Sequence, residues 1–249
     1  MIKGRFISDP PGDGLWNMAV DAALYNSAQV DSSFPPTLRV YGWNPPCLSL
    51  GRRQDVGIVN VDECTRRGVD VVKRIGGGSA VYHHGDVTYC FVTRLDSTGE
   101  PTLERMRTVF EKMLDNFRIV YDDVDSGALS EPETVIEATC FATAEKDEPT
   151  IKGKKWVGSA RRKSRSVFLQ HGSVLLNRQP DELKDLLLDN VEDGSIGLTE
   201  LYPGIDRSAV RDAMKISFGD VLGVEFSDGE YTDIEMETAK NLLEGRKDL

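Results

Sequence analysis

Strand-like segments joined by short turns constrain this chain more than any other feature. Residues 151–160 and 167–176 indicate two strands joined by a basic turn, which is the pattern of an antiparallel hairpin. Residues 37–41 and 47–50 indicate a second pair of strands around the turn-forming stretch Gly42–Pro46. With helical patterns between the strands, we predict an α+β (α/β) fold in which a mixed, largely antiparallel sheet is flanked by helices.

Apolar periodicity indicates the remaining elements. Strands are predicted at 69–74 and 86–93. Helices are predicted at 14–29, 61–67, 101–118, 180–190, 206–222 and 232–245. The 249 residues are enough to bury a sizeable core. We predict a single domain over 1–249, with an acidic, helical C-terminal part at about 179–249.

The charge distribution excludes some classes of function. The net charge is −11, and residues 179–249 alone carry 18 acidic and 7 basic side chains. This acidic part argues against nucleic-acid binding. No stretch has the 18 or more apolar residues of a membrane span, and the first residues lack the apolar core of a signal peptide. We expect a cytoplasmic protein that binds neither nucleic acid nor a membrane.

One basic cluster stands out between residues 152 and 165. It contains seven cations and no acidic residue: Lys152, Lys154, Lys155, Arg161, Arg162, Lys163 and Arg165. A solvated hairpin loop would account for such a run. It would equally suit a docking surface for an acidic partner, such as a small carrier protein or a lipoyl domain.

The four cysteines have no CxxC spacing, and the three histidines do not form a metal-ligand motif. A reduced protein without a metal is therefore expected. Cys47, Cys64 and Cys90 lie in segments where a thiol packs as a small apolar group. Cys140 precedes a polar stretch and lies fifteen residues before Lys155. A cation near a thiol favours the thiolate and makes it a competent nucleophile.

A run of three glycines at 76–78 follows the strand at 69–74. Glycine lets the backbone approach a ligand closely and frees its N–H groups to point at it. The run matches neither GxxxxGK[ST] nor GxGxxG, so a tight turn explains it equally well. Gly158, Ser159 and Ala160 are also small and permit close packing against a ligand or another strand.

Several of these segments, in this order, resemble the lipoate–protein ligase and octanoyltransferase family, which shares its catalytic fold with biotin protein ligases. They are Asn17–Ala19 with Asp21, Leu38–Trp43, Leu48–Gly51, Lys73–Gly78 with Ala80–His83, Gly153–Ala160, and Leu169–Ser173. The resemblance runs through nearly the whole chain. The segment around Cys140 is similar to that of the cysteine-dependent octanoyltransferases rather than to the ATP-dependent ligases.

The resemblance implies a mechanism and a set of partners. Cys140 would take octanoate from octanoyl-acyl carrier protein as a thioester, and Lys155 would lower the pKa of the thiol. The acceptor would be a lysine of a lipoyl domain, in the glycine cleavage H protein or in a 2-oxoacid dehydrogenase E2. The substrate-binding residues implied are Arg74, Gly76, Gly77, Gly78, His83, Gly158, Ser159 and Ala160. We expect His171 to support the sheet, and we expect neither a cofactor nor a metal.

Three alternatives remain open at this point. An ATP-dependent lipoate or octanoate ligase would use ATP and Mg²⁺ to make an acyl-adenylate. An amidotransferase would move octanoate between lipoyl carrier proteins. A non-catalytic regulator that binds an acyl group or biotin fits least, since Cys140 and Lys155 are both present and no helix-turn-helix extension is visible.

Overall fold

The computed structural model describes residues 1–122, 139, 141, 148–189, 191 and 193–245. The strands are β1 (Ile2–Gly12), β2 (Thr37–Trp43), β3 (Cys47–Leu50), β4 (Asp70–Lys73), β5 (Val81–His83), β6 (Val87–Arg94), β7 (Thr150–Ile151), β8 (Lys154–Lys155), β9 (Val157–Lys163), β10 (Val167–Val174) and β11 (Val224–Asp228). The helices are α1 (Gly14–Val30), α2 (Val61–Arg67), α3 (Leu95–Thr98), α4 (Leu103–Asn116), α5 (Leu183–Leu186), α6 (Arg207–Leu222) and α7 (Asp233–Glu244).

Six strands form the large sheet in the order β11-β1-β2-β6-β10-β9. Strand β1 is parallel to both of its neighbours, β11 and β2. The other three pairings, β2 with β6, β6 with β10, and β10 with β9, are antiparallel. The predicted fold class, a mixed and largely antiparallel sheet flanked by helices, is confirmed.

A small sheet of three strands, in the order β4-β3-β5, lies beside the large one. Strand β3 is parallel to β4 and antiparallel to β5. This pairing brings Ser49 opposite Val81 and Cys47 opposite His83. The small sheet thus carries polar side chains that come from segments more than thirty residues apart in the sequence.

Helices cover both faces of the large sheet. One face packs against α4 and α6, where Phe91, Phe110 and Phe218 belong to the largest apolar cluster. The other face packs against α1, whose Met18 and Leu24 cluster with residues of β6 and β10. The Asp13 carboxylate accepts a hydrogen bond from the Trp16 N–H at 2.8 Å and so begins α1 with an N-cap.

Some predicted boundaries were wrong. The strand predicted at 151–160 is interrupted, because Lys152 and Gly153 have φ angles of 54° and 71° and turn the chain between β7 and β8. Strand β9 begins only at Val157 and continues to Lys163. Arg161–Lys163 therefore belong to this strand and not to the predicted turn.

The C-terminal part also differs from its prediction. The helix predicted at 180–190 is reduced to α5, because the backbone of Leu187 pairs with Val59. This part is not wholly helical, since β11 adds a strand to the edge of the large sheet. None of the helices in the described part of the chain combines the length and the apolar character needed to span a bilayer.

Candidate active site

A pocket lies between the large sheet, the small sheet and α1. Its empty volume is about 310 Å³, including the open solvent at its mouth. The lining residues come from α1, from β2, from both sheets and from the hairpin of β9 and β10: Met18, Tyr41, Trp43, Arg74, Val81, His83, Thr88, Gly158, Ser159, Ala160, His171, Gly172 and Ser173. Of the predicted substrate-binding residues, five line this pocket: Arg74, His83, Gly158, Ser159 and Ala160.

The pocket follows β10. Alternate residues of a strand face the same side, so His171, Ser173 and the following Leu175 form one row. His171 contacts Asp21 of α1. Ser173 bonds His83 at 3.2 Å. Leu175 packs with Val81 and Phe141. The row from His171 to Leu175 spans about 13 Å at 3.3 Å per residue.

Lys155 lies at the Leu175 end of this row. Its side chain is buried and forms an ion pair with the carboxylate of Glu148. The Lys155 Nζ lies 6.0 Å from the centre of the Phe141 ring. The backbone of Lys155 is held on both sides, since its N–H donates to the Gly194 carbonyl and its carbonyl accepts from Ile196, both at 2.9 Å.

Cys140, the predicted nucleophile, lies outside the described residues. Its chain neighbours Thr139 and Phe141 are described and both are buried. Thr139 forms a β-bridge with Ala80, the residue before β5. The described cysteines, Cys47, Cys64 and Cys90, are buried and free. Burial raises the pKa of all three thiols, which fits apolar packing rather than catalysis.

His83 is bonded at both ring nitrogens. Its Nε2 lies 2.7 Å from the Ser49 hydroxyl, and its Nδ1 lies 2.9 Å from the Asp86 carboxylate. The ring stacks on Trp43 with 3.9 Å between the centroids. Burial lowers the pKa of His83, more than the carboxylate of Asp86 raises it. His83 therefore lines the pocket with an uncharged ring whose polar atoms are already occupied.

His171 is bonded at only one ring nitrogen. Its Nδ1 lies 3.2 Å from the Asp21 carboxylate. Its Nε2 is buried and has no hydrogen-bond partner among the described residues. Asp21 also accepts hydrogen bonds from the Arg39 guanidinium at 2.8 Å and the Tyr41 hydroxyl at 2.9 Å. Although burial disfavours the carboxylate, the contacts with His171 and Arg39 outweigh it and lower the pKa of Asp21. We predicted that His171 supports the sheet. The structure shows that His171 also lines the pocket, which the prediction did not include.

Arg74 is turned toward the glycine loop that it precedes. Its guanidinium donates to the Ser49 carbonyl at 2.6 Å, and to the carbonyls of Gly77 and Ser79 at 3.0 and 2.8 Å. The loop therefore has a fixed shape that Arg74 sets from inside. Close packing explains Gly76, since a Cβ there would lie 2.5 Å from the His171 Nε2, and a φ of 81° favours glycine at Gly78, whereas a Cβ on Gly77 would meet nothing within 4 Å.

The small residues of β9 lie beside the β10 row, in the neighbouring strand of the same sheet. In the register of the hairpin, Gly158 lies opposite Ser173 and Ala160 lies opposite His171. The hydroxyl of Ser159 instead contacts the Tyr89 hydroxyl at 2.9 Å. Gly158 and Ala160 thus keep the space beside the β10 row open, which is the role that their small size indicated.

The basic cluster of residues 152–165 is only partly available to a partner. Lys155 is buried, as described above. The Arg162 guanidinium lies 4.8 Å from the centre of the Tyr25 ring, and Lys163 pairs with Glu100. Lys152, Lys154 and Arg165 are exposed. The exposed cations surround the end of the hairpin and the turn before it.

The fold and a pocket lined by small residues beside a buried lysine define a class of catalytic domain. The family model of the lipoyl protein ligase A/B catalytic domain matches residues 13–219. The chain belongs to this family, as its resemblance in sequence predicted.

The relatives that match over nearly their whole length are octanoyltransferases. Octanoyltransferase LipM of Kyrpidia tusciae is 33% identical, over 98% of this chain and 96% of that protein. Octanoyltransferase LipM of Symbiobacterium thermophilum is 31% identical, over 94% of this chain and 91% of that protein. The predicted enzyme class, an acyltransferase, is confirmed by these relatives.

Two solved structures share the fold. A bi-partite lipoate protein ligase, analysed with its E2 lipoyl domain from Thermoplasma acidophilum, matches with a TM-score of 0.80 at 21% identity, over 100% of this chain and 95% of that chain. Lipoate-protein ligase A bound with ATP also gives 0.80, at 22% identity, over 100% and 97% of the two chains. At this identity the likeness concerns the fold alone.

Sequence reasoning missed Thr88 and Ser173, which line the pocket, and Ser49 and Asp86, which bond His83. For the group around Asp21 a signal was present. Asn17 and Asp21 lie four residues apart in an otherwise apolar helix, and buried acids and amides are found where a partner satisfies them. That partner is Arg39, whose guanidinium donates to both side chains.

Proposed function

We propose that this chain transfers an octanoyl group from octanoyl-acyl carrier protein, through a thioester on Cys140, to a lysine of a lipoyl domain. The course of the pocket carries the proposal. It runs beside small residues along β10, and its lining residue Val81 packs with Phe141, the chain neighbour of Cys140. The Lys155 Nζ lies 6.0 Å from the centre of the Phe141 ring. An acyl chain in this pocket would have its carbonyl at the Lys155 end.

The first half-reaction loads the enzyme. The Cys140 thiolate attacks the thioester carbonyl of the donor, the new C–S bond forms, and the bond to the carrier's pantetheine sulfur breaks. The released thiol takes a proton. One thioester replaces another, so the exchange needs no ATP. The buried Lys155 ammonium would stabilise the thiolate and the developing oxyanion.

The second half-reaction releases the product. The uncharged amine of the acceptor lysine attacks the acyl-enzyme, an amide forms, and Cys140 leaves as a thiolate. The attacking amine gives up one proton in this step, and the Glu148 carboxylate that pairs with Lys155 would accept it. A lipoyl domain as acceptor is supported by the archaeal ligase of the same fold, whose structural analysis includes its E2 lipoyl domain.

The exposed cations Lys152, Lys154 and Arg165 suit docking of an acidic carrier protein. Attraction between opposite charges increases the rate of encounter more than the final affinity. Lys152 and Lys154 lie on the β7–β8 hairpin that also carries Lys155, whereas Arg165 lies in the turn between β9 and β10, at the far end of those strands. A carrier bound at Lys152 and Lys154 would approach the pocket from its Lys155 end.

Intact mass spectrometry tests the thioester route. The protein is mixed with octanoyl-acyl carrier protein, without ATP and without an acceptor. We expect a gain of one octanoyl group that hydroxylamine removes. The gain should be absent in Cys140→Ala and unchanged in Cys64→Ala, which removes a buried thiol from α2.

Other results would assign a different reaction. If the protein stays unmodified and acylates a lipoyl domain only with ATP and Mg²⁺, it is a ligase. If it is loaded by an octanoylated lipoyl protein but not by the acyl carrier protein, it is an amidotransferase. Either result would overturn the carrier-protein donor.

A further inference from the structure

The unpartnered nitrogen of His171 is an exception among the buried polar atoms of the pocket. Buried side-chain nitrogens and oxygens nearly always have a hydrogen-bond partner. The His171 side chain is 3% exposed, and its Nε2 has no such partner in the part of the chain that the structure describes. Because the Asp21 carboxylate can only accept, the Nδ1 carries the proton, and in the neutral imidazole the Nε2 then carries a lone pair.

The position of His171 along β10 indicates which part of a bound acyl group its Nε2 would face. This step rests on the proposed function. Lys155 and Phe141 lie at the Leu175 end of the pocket. His171 lies four residues away along the row, about 13 Å at 3.3 Å per residue. An extended octanoyl group with its carbonyl beside Lys155 therefore points along the row toward His171 and ends a few ångströms short of it.

The glycine loop closes one side of the His171 Nε2. A Cβ added to Gly76 would lie 2.5 Å from this nitrogen and 3.2 Å from the Cβ of Ala160. The Gly76 backbone is fixed in place, because its carbonyl accepts a hydrogen bond from the Arg52 N–H at 2.9 Å. On the other side, Asp21 is held by Arg39 and Tyr41, so the ring cannot turn away without breaking a buried network.

We propose that His171 is the residue that sets the upper limit on acyl chain length. A chain that ends short of the nitrogen leaves room for a water that donates to it. A chain one carbon longer places a methyl group there and leaves the lone pair unpaired. An unsatisfied buried acceptor lowers affinity by roughly five- to a hundredfold, whereas an added methylene in an apolar pocket would increase it.

Two acyl groups of equal length separate this polar limit from a steric one. The ω-hydroxyoctanoyl group and the nonanoyl group have the same number of heavy atoms, but only the hydroxyl can donate to the His171 Nε2. Each is supplied on acyl carrier protein, and the rate of acyl-enzyme formation is measured. We expect the hydroxylated chain to load at least about tenfold faster. An apolar pocket would give the opposite order, because burying an unbonded hydroxyl is unfavourable.

The variant His171→Leu should reverse the preference, since it removes the nitrogen and keeps a side chain of moderate size. His84→Leu is the matched control, because His84 is half exposed beside β5 and outside the pocket, and it should retain the wild-type ratio. Nonanoyl loading as fast as ω-hydroxyoctanoyl loading in the wild type overturns the role of His171, even if His171→Leu fails to fold. An unchanged ratio in a folded His171→Leu overturns it as well.

Failure of the proposed function has a different signature. If no acyl group loads without ATP, the thioester route is wrong. Equilibrium binding of free ω-hydroxyoctanoate and nonanoate to the same protein then decides the role of His171, by the same order of affinities.

Discussion

Two histidines face the same pocket from opposite walls, His83 from the small sheet and His171 from the large one. Both are almost completely buried, and both have a carboxylate at the Nδ1. His83 also bonds Ser49 at its Nε2, whereas the Nε2 of His171 finds no partner in residues 1–122, 148–189 and the other described positions. The difference teaches that burial does not identify a functional histidine. A histidine with both ring nitrogens bonded to the protein stabilises the pocket wall. A histidine with one unbonded nitrogen can form a hydrogen bond to a ligand.

The largest expected effect is on stability, and it distinguishes Asp21, the carboxylate bonded to His171, from Asp86, the carboxylate bonded to His83. Asp21→Asn removes the charge partner of the buried Arg39 guanidinium, which should lower the free energy of unfolding by about 3 kcal/mol. Asp86→Asn should cost about 1–2 kcal/mol, because the Asp86 Oδ2 accepts from neutral groups and no described residue bonds its Oδ1. Urea unfolding of both variants measures the difference. Equal losses would mean that Asp9, which also binds Arg39, replaces Asp21 completely.

A smaller effect compares the rings themselves. His83→Leu breaks hydrogen bonds to Ser49 and Asp86 and removes the stack on Trp43, so we expect a loss of about 2–3 kcal/mol. His171→Leu breaks one hydrogen bond and removes an unsatisfied nitrogen, so about 1 kcal/mol is expected. Urea unfolding again provides the measurement. A loss in His171→Leu as large as that in His83→Leu would contradict the assignment of His83 as the more structural ring.

The sequence predicts most of the elements that surround the pocket, because their patterns are local. Helix α1 and strands β2, β3, β4, β6 and β10 lie where periodicity indicated. Strand β1 was missed. It contains Pro10 and Pro11, which strands disfavour, and its register shifts between Ser8 and Pro11. Parallel pairing with β2 and β11 stabilises β1. These partners are distant in the sequence, so the local sequence of β1 does not predict the pairing.

The site was predictable in its parts but not in its contacts. The resemblance indicated Lys155 and the small residues of β9, and the structure brings the latter to the pocket. The roles of the histidines depend on hydrogen bonds between distant segments. His171 contacts Asp21 across 150 residues of sequence, and His83 contacts Ser49 across 34. Which ring keeps an unpaired nitrogen follows only from the folded arrangement.

The smallest effect is a dependence of stability on pH that belongs to His83. Burial lowers the pKa of His83 below its ordinary value of 6.5. The Asp86 carboxylate acts in the opposite direction, whereas the positive Arg74 and the neighbouring His171 lower the pKa further. At a pH between the folded and unfolded pKa values of His83, the unfolded chain binds more protons than the folded one. The contribution of His83 to the free energy of unfolding is therefore complete above about pH 7 and decreases as the pH falls toward 5. The slope due to one group is at most about 1.4 kcal/mol per pH unit. Unfolding titrations at intervals from pH 7.5 to 5 should show this slope in the wild type and in His84→Gln, and a flatter curve in His83→Gln. A curve of the same slope in His83→Gln would assign the effect to another group and remove the evidence that the fold requires an uncharged ring at this wall.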